Sequence, residues 1–352
     1  MLIACSEPAP DRVEPDQTGP YAAGVTTLEL DDPRGETVKV EVWYPAIDPG
    51  TPADEYVEFK ISRDGHRDAE LDVRGAPYPV VAFSHGYGGI RFQNAYMVEH
   101  LAAHGFVVVA PDHRFNTMLD LRGSLTGTVL VDRPGEVSRA VDGMLADERF
   151  GPIVDGSRYL MTGHSFGGIT TLTVGGGVYD FDFGQDFCEI HEDAPPGCAF
   201  FDDTELGDPA LAVPDPRAVA GVDISPAGWY AFGDNGMDNI VPMLAIGGLK
   251  DQDLPYDEEA RPTMDGMPSP KTLVSLKDSG HWGVTDICLI LSFLVDCGGE
   301  SEGWMEPDRA QYVTKTMVTA FALHHLMDDT TYDSWLLPEA FPEDDVTIEV
   351  FE

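Results

Sequence analysis

Short apolar runs alternate with helical patterns along most of this chain. Two runs rich in β-branched residues, at 26–30 and 37–44, predict a pair of outer strands. Apolar runs at 78–84 and 106–111 flank a segment, 92–104, that has the apolar spacing of a helix. This order predicts a strand, a crossover helix and a second strand parallel to the first.

The same alternation continues towards the carboxyl end. The predicted elements are a helix over 135–149, strands over 159–163, 219–224, 241–247 and 272–276, and a final helix over 308–327. Strands that alternate with helices form a mostly parallel sheet covered by helices on both faces. We therefore predict an α/β fold, and we expect the acidic tail after residue 327 to lie on the surface.

Two segments, 175–215 and 288–307, interrupt the alternation and are called here the first and second insertions. Each contains a closely spaced pair of cysteines: Cys188 with Cys198, and Cys288 with Cys297. The spacing predicts two local disulfides and an oxidising, exported location, with four buried free thiols as the alternative. The cysteines form no CxxC motif and have no zinc-site spacing, so no metal site is expected.

The start of the chain, Met1 to Cys5, is similar to the end of a bacterial lipoprotein signal, in which a small residue precedes the cysteine that receives lipid. A polar, Pro-rich segment over 6–17 would then be a tether. We expect Cys5 to be lipidated, residues 1–24 to be a signal remnant and tether, and residues 25–352 to form one domain. The protein would be a membrane-tethered lipoprotein, or secreted or periplasmic; a chance match is the alternative.

Charge bears on the partners that the protein can have. The chain carries 21 basic and 62 acidic side chains, which gives a net charge of −41. This negative field repels nucleic acid and anionic membrane surfaces, so we exclude direct binding to either. We interpret the excess as a solvated acidic shell rather than a cation-binding surface.

The segment Gly163-His164-Ser165-Phe166-Gly167 matches the G-x-S-x-G motif, in which a serine lies on a sharp turn between a strand and a helix. A predicted strand precedes it and a Gly-rich helix start follows it. Such a turn strains the serine backbone, and the flanking glycines let the strand and helix approach closely. Ser165 is therefore the predicted nucleophile of an α/β-hydrolase fold, with a turn that has no chemistry as the alternative.

A serine nucleophile needs a histidine to accept its proton, and in this fold the histidine comes last in the chain. His281, just after the predicted strand at 272–276, meets this requirement. Other histidines lie in predicted helices, and surface roles are expected for them: His100, His104, His324 and His325. His164, inside the motif, is expected to orient its neighbours.

The third member of such a triad is a carboxylate that holds the imidazole in the correct tautomer. Asp251 is favoured because it follows the predicted strand at 241–247, in the loop that usually carries the acid. Asp223 is the rival, since an ionisable group at the end of an apolar strand needs a partner or a function. Asp253 is a third choice, and its simpler interpretation is a solvated loop acid.

Acyl transfer also needs two backbone N–H groups directed at the developing oxyanion. One would come from Phe166, and the other from Tyr87 in the loop Ser84-His85-Gly86-Tyr87-Gly88-Gly89. This loop is similar to the HGGG-type loop of esterases. It has neither the GxGxxG order nor a Walker lysine, so a phosphate site is not expected.

Longer stretches resemble two known families. His85-Gly86-Tyr87-Gly88-Gly89-Ile90-Arg91, the segment 102–108 and Asp112-His113-Arg114 resemble the platelet-activating factor acetylhydrolases. The same stretch resembles the cutinase-like polyester hydrolases, and that likeness continues at 115–120, 165–168 and 327–332. The similar segments span about 78–335, and the two insertions depart from both families.

Both resemblances imply ester cleavage without a cofactor, with the second oxyanion donor at Tyr87. They differ over the acid, which the acetylhydrolases carry at the position of Asp223 and the polyester hydrolases at that of Asp251. In the polyester hydrolases, aromatic residues at the positions of Tyr87 and near Trp229 flank an open groove, so both are candidate substrate contacts, with packing as the alternative. Trp282, beside the predicted base, would form part of the pocket wall.

Taken together, the residues and the resemblances predict a metal-independent, cutinase-like carboxylesterase that works through an acyl-enzyme intermediate. Its substrate would be a small ester, a lipid or a polyester, and we expect a monomer. One alternative is a lipid esterase similar to the platelet-activating factor acetylhydrolases. An alternative of another class is a lipid-tethered binding protein with an idle triad.

Overall fold

A computed structural model describes residues 8–56, 61–122, 127–191, 195–201, 206–297 and 303–352. Cys5, and with it the predicted lipidation site, lies outside these residues. Within the described part of the chain, no helix is both long enough and apolar enough to cross a membrane.

The described residues form twelve strands and seven α-helices. The strands are β1 (Ala22–Asp31), β2 (Thr37–Ala46), β3 (Glu55–Tyr56), β4 (Ile61–Ser62), β5 (Gly65–Arg67), β6 (Tyr78–Ser84), β7 (Val107–Pro111), β8 (Val154–His164), β9 (Ala218–Ile224), β10 (Met243–Gly248), β11 (Lys271–Leu276) and β12 (Val346–Phe351). The helices are α1 (Ala95–Ala103), α2 (Thr128–Ala146), α3 (Phe166–Val174), α4 (Phe181–Ile190), α5 (Ala260–Asp265), α6 (Ile287–Ile290) and α7 (Pro307–Met327). Short 3₁₀ turns lie at Gly151–Ile153, Pro196–Phe200, Pro209–Leu211, Trp229–Ala231 and Thr330–Leu336.

Ten of the strands form one sheet in the order β12-β11-β10-β9-β8-β6-β7-β2-β1-β5. The six central strands, from β11 to β7, are parallel, whereas β12 is antiparallel to β11 and β2 is antiparallel to β7. The predicted mostly parallel sheet is therefore confirmed, and so is the outer pair β1 and β2.

Helices cover both faces of this sheet. Along β6, Val81 and Phe83 belong to a buried cluster that includes residues of α1 and α7. Val80 and Ala82 belong to a second cluster that includes residues of α2. Alternate residues of a strand point to opposite faces, so β6 is buried on both sides, as its continuous apolar run predicts.

Both predicted disulfides are confirmed. Cys188 of α4 is bonded to Cys198, and Cys288 of α6 is bonded to Cys297. Each bridge closes a short loop within one insertion. Each insertion is therefore cross-linked within itself.

Two boundaries differ from the predictions. The helix predicted over 135–149 begins earlier, at Thr128, and continues through Pro134 because Val129, Leu130 and Val131 on its first turns are buried. The acidic tail, expected to lie on the surface, instead ends in β12, where Val346 and Ile348 are buried against the sheet edge. In both places, tertiary burial outweighs a local signal from proline or from acidic residues.

The described part of the predicted tether contacts the domain. Two histidines, which were expected at the surface, are instead buried. His100 of α1 donates to the Pro15 carbonyl at 2.8 Å, and His104, just after α1, donates to the Gln17 carbonyl at 2.9 Å. Burial lowers the pKa of both imidazoles, and both bonds fit neutral rings. Residues 15–17 therefore pack on α1 rather than forming a free tether.

Candidate active site

Ser165 lies on a sharp turn between the end of β8 and the start of α3. Its backbone has φ of 58° and ψ of −121°, a region that side-chain-bearing residues rarely adopt. A Cβ on Gly163 would lie 2.1 Å from the Gly167 carbonyl oxygen, and one on Gly167 would lie 2.0 Å from the Ser84 carbonyl oxygen. Only glycine fits at these two positions, so the motif's glycines are required by backbone contact.

His281 is hydrogen-bonded to Asp251. The imidazole Nδ1 donates to Asp251 Oδ2 at 2.8 Å, and the two side chains are 4% and 3% exposed. The other oxygen of Asp251 accepts the backbone N–H groups of Asp253 and Leu254 at 3.0 and 2.7 Å. The loop after β10 thus fixes the carboxylate, and the carboxylate in turn fixes the imidazole.

Two opposing effects act on the pKa of His281. Burial lowers this pKa, whereas the charge and hydrogen bond of Asp251, followed by the charges of Asp253 and Asp296, raise it. The net result is a pKa above the ordinary value for histidine. The surroundings of His281 therefore stabilise an imidazolium.

Asp223, the rival acid, is placed differently. It lies at the end of β9 in register with Gly163, it is fully buried, and neither carboxylate oxygen has a hydrogen-bond partner among the described residues. A Cβ on Gly168 would lie 1.9 Å from Asp223 Oδ1, so the carboxyl packs against the start of α3. Burial and the nearby Glu259 raise its pKa well above the ordinary value. Of the two candidates, the structure brings Asp251 to His281.

His164 supports the backbone that carries His281. Its Nε2 donates to the His281 carbonyl at 2.9 Å, while its Nδ1 accepts from the Gln93 side chain at 2.8 Å. The two imidazole rings lie 4.7 Å apart. Burial lowers the pKa of His164 far below its ordinary value, so the ring is neutral and fits this donor and acceptor pattern.

The loop after β6, which contains Tyr87, is held by buried polar side chains. Arg133 of α2 donates to the carbonyl oxygens of His85 at 2.6 Å and Gly86 at 3.1 Å. Asn116 accepts from the Gly88 N–H at 3.1 Å and from Arg133 at 2.5 Å. The sequence predictions did not include Arg133 or Asn116 in the site, because their contacts are with residues far away in the sequence and no local motif indicates them.

Ser165 and His281 line one pocket of about 440 Å³. Most of its wall is apolar, and the described lining residues are Tyr87, Ser165, Phe166, Ile169, Gly197, Ala199, Phe200, Ala227, Tyr230, Gln252, Asp253, Leu254, His281 and Trp282. Phe200 of the first insertion packs on Phe166 and Tyr87, with ring centroids 4.8 and 5.2 Å apart. The first insertion therefore completes one side of the pocket.

Two of the three predicted aromatic contacts, Tyr87 and Trp282, lie in this wall. Trp229 does not belong to the described wall; it packs on Phe187 of the first insertion and donates its indole N–H to the Glu258 carbonyl at 3.0 Å. Its neighbour Tyr230 lines the pocket instead, because a left-handed Gly228 starts a 3₁₀ turn that directs Tyr230 inward.

Glu259, which was not predicted from the sequence as a site residue, stabilises this turn through two hydrogen bonds. Its carboxylate accepts the Gly228 N–H at 2.7 Å and the Tyr230 hydroxyl at 3.3 Å. Burial raises the pKa of Glu259 to about 7. The described residues contain no cluster of three or more histidine, cysteine or acidic side chains arranged to hold a metal ion.

The chain has the α/β-hydrolase fold. It superposes on a ferulic acid esterase from Streptomyces cinnamoneus with a TM-score of 0.66 at 20% identity, and the match covers 93% of this chain and 96% of that one. The sequence model of platelet-activating factor acetylhydrolase, isoform II, matches residues 55–119.

Among individual relatives, the chain is similar to cutinases of Thermobifida alba. It is 27% identical to cutinase est1 over 209 residues, which are 58% of this chain and 54% of that protein. It is 38% identical to cutinase est2 over 97 residues, 27% of this chain and 29% of that protein. The chain thus spans about half the length of est1 and less of est2. The predicted resemblances to both families are confirmed.

Proposed function

We propose that this protein is a carboxylic ester hydrolase that works through an acyl-enzyme intermediate on Ser165. The observation that carries the proposal is the buried His281–Asp251 hydrogen bond in the pocket that contains the strained Ser165. A nucleophile, a base and a carboxylate that orients the base form the set needed for acyl transfer. The similarity to cutinases supports the same reaction.

In this mechanism, Ser165 Oγ attacks the ester carbonyl carbon while His281 accepts the hydroxyl proton. His281 then returns the proton to the leaving alcohol, and the acyl group stays on Ser165. Water, activated by His281, releases the acid and restores the serine. Asp251 keeps the Nδ1 proton on His281 and stabilises the imidazolium that forms. The backbone N–H groups of Tyr87 and Phe166 would bind the oxyanion.

The pocket favours an acyl group with apolar or aromatic character. Phe166, Ile169 and Phe200 provide the apolar wall, and the volume of about 440 Å³ accommodates a ring or a short chain. This proposal places the acyl part in the pocket and leaves the alcohol part towards solvent. A small ester, a lipid or the exposed end of a polyester chain would meet these requirements.

A second candidate is a lipid esterase that releases short acyl groups from phospholipids. The match of residues 55–119 to the platelet-activating factor acetylhydrolase family favours this function. Assays on a short-acyl phospholipid and on polyester film separate the two candidates. Faster release from the phospholipid supports the lipid esterase, and faster release from film supports the cutinase-like enzyme.

We also propose that the protein is exported. Two disulfides persist in oxidising compartments, which supports this location. A lipid on Cys5 would tether the protein to a membrane, and intact-mass measurement of the cell-envelope protein tests for it. All residues of the proposed site lie on one chain, so a monomer would be sufficient for activity.

Ser165→Ala tests the reaction. The purified protein should release a burst of p-nitrophenol from a short-chain p-nitrophenyl ester and be labelled by a fluorophosphonate probe. Ser165→Ala should lose the label and lower kcat by a factor of about 10⁵–10⁶. Ser157→Ala, in the strand β8 that precedes Ser165, is the matched control; its exposed hydroxyl donates to Asp155, and the variant should keep activity. Absence of burst and label in the unaltered protein would favour a binding protein.

A further inference from the structure

Asp296, in the second insertion, contacts Trp282, the residue that follows the proposed base His281. Its Oδ2 accepts the backbone N–H of Trp282 at 2.6 Å, and the residue is 6% exposed. We propose that Asp296 is a positioning residue for His281, which fixes the backbone that carries the imidazole and, when ionised, adds a negative charge near it. This inference rests on the proposed function, because it assigns Asp296 a part in the reaction of the same site.

The contact between Asp296 and the His281 loop is close on two sides. A Cβ on Gly280 would lie 2.5 Å from Asp296 Cβ and 2.6 Å from its Oδ2. A Cβ on Gly283 would lie 3.3 Å from the Asp296 carbonyl oxygen. His281 and Trp282 therefore lie between two glycines that face Asp296, and at Gly280 a larger residue would displace the carboxylate.

The peptide groups around His281 are held by residues from the nucleophile turn, from the His281 loop itself and from the second insertion. His164 donates to the His281 carbonyl, and the Thr285 hydroxyl donates to the Trp282 carbonyl at 2.8 Å. Asp296 supplies the acceptor for the Trp282 N–H. Its neighbour Cys297 is disulfide-bonded to Cys288, so the bridge restrains the segment that carries the carboxylate. The second insertion thus supplies one of the contacts that set the position of the imidazole.

The charge of Asp296 acts in the same direction as that of Asp251. The titratable groups around His281 are Asp251, Asp253, Asp296 and His164; the three carboxylates favour the imidazolium, whereas burial opposes it. Asp251 bonds directly to the ring, and Asp253 accepts from the Trp282 indole N–H at 2.7 Å. Asp296 is thus a second buried carboxylate near the charge that develops on His281 in the transition state.

Two substitutions separate the backbone contact from the charge. Asp296→Asn keeps an oxygen that can accept the Trp282 N–H but removes the charge. The midpoint of the acid limb of kcat/KM should then move to lower pH, because His281 loses a group that favours its protonated form. Asp296→Ala removes the acceptor as well, and kcat should fall by about 10- to 100-fold with a smaller change in KM.

Asp155→Ala is the matched control, since Asp155 also accepts a backbone N–H but is exposed and far along β8 from Ser165. It should leave kcat and the pH profile unchanged. If both Asp296 variants keep the kcat and acid limb of the unaltered enzyme, the positioning role is wrong, even if they melt at lower temperature. If Asp296→Ala does not fold, the acid limb of Asp296→Asn still tests the proposed role, and an unchanged acid limb would contradict it. Inactivity of the unaltered enzyme would instead overturn the proposed function.

Discussion

The two disulfide-bearing insertions act on different parts of the proposed site. The first insertion places Gly197, Ala199 and Phe200 in the pocket wall, where they would contact substrate. None of the described wall residues comes from the second insertion, whose Asp296 instead contacts the backbone beside His281. The first insertion would therefore contribute to substrate binding and the second to the chemical step, although each contains a similar short disulfide-closed loop.

Among the tests of this comparison, the largest expected effect comes from the carboxylate that is bonded to the proposed base. Asp251→Asn should lower kcat by about 10⁴, because the amide favours the wrong imidazole tautomer. Asp223→Asn should keep kcat within a few-fold, since its carboxyl has no bond to His281. Steady-state kinetics on a p-nitrophenyl ester measure both, and a greater loss from Asp223→Asn would reverse the assignment of the acid.

Thermal stability provides a second test of the difference between Asp251 and Asp223. The pKa of Asp223 is higher in the folded protein than in the unfolded chain, so ionisation favours the unfolded chain increasingly as the pH rises above the unfolded value of about 3.9. Asp223→Asn removes this cost. Its melting temperature should exceed that of the unaltered protein at pH 8, and the difference should shrink towards pH 4.

The disulfides themselves test the division between the insertions. Removal of Cys288 and Cys297 by double serine substitution should lower kcat by about 10-fold, because Asp296 loses its restraint. The matched double substitution of Cys188 and Cys198 should mainly raise KM, since it loosens the wall at Phe200. Each change should reduce the free energy of unfolding by about 2–4 kcal/mol. Kinetics well below both melting temperatures separate the effects, and equal losses of kcat would contradict the division.

The sequence predicts the central fold well because its signals there are local. The continuous apolar run of β6 and the G-x-S-x-G turn depend on neighbouring residues and on steric limits at Gly163 and Gly167. The elements that were missed depend on distant partners. Strand β12 forms in an acidic tail because β11 offers an open edge, and α2 continues through Pro134 because its first turns are buried.

The same distinction applies within the site. Ser165 and His281 could be proposed from motif and chain order. For the acid, the sequence favoured Asp251 but left Asp223 as a rival, since the choice depends on which carboxylate meets the imidazole. Trp229 and Tyr230 are adjacent in sequence, and the backbone turn at Gly228 decides which of them lines the pocket. Asp296 could not be found because it acts through a backbone N–H, which no side-chain pattern records.

Phe200→Ala sharpens the comparison on the substrate side. Loss of this ring opens the wall next to Phe166, so KM for a long or aromatic acyl ester should rise by about 10-fold. An acetyl ester, which does not reach the ring, should change by about 2-fold or less. Phe293→Ala on the second insertion, with an exposed fraction of 79%, is the control and should not alter the ratio of KM values. The same change of KM for all acyl lengths would argue against a pocket contact.

The smallest expected effect concerns the exposed carboxylate of Asp253, which faces the same imidazole as Asp296. Its charge raises the pKa of His281 less than Asp251 does. Activity requires the neutral imidazole, so kcat/KM rises as the pH increases through this pKa. Asp253→Asn should therefore move the acid limb slightly to lower pH, and 1 M salt should reduce the difference because water and ions screen an exposed charge. The shift from Asp296→Asn should survive the same salt because Asp296 is buried. Equal salt sensitivity of the two shifts would mean that the second insertion provides no sheltered charge beside the base.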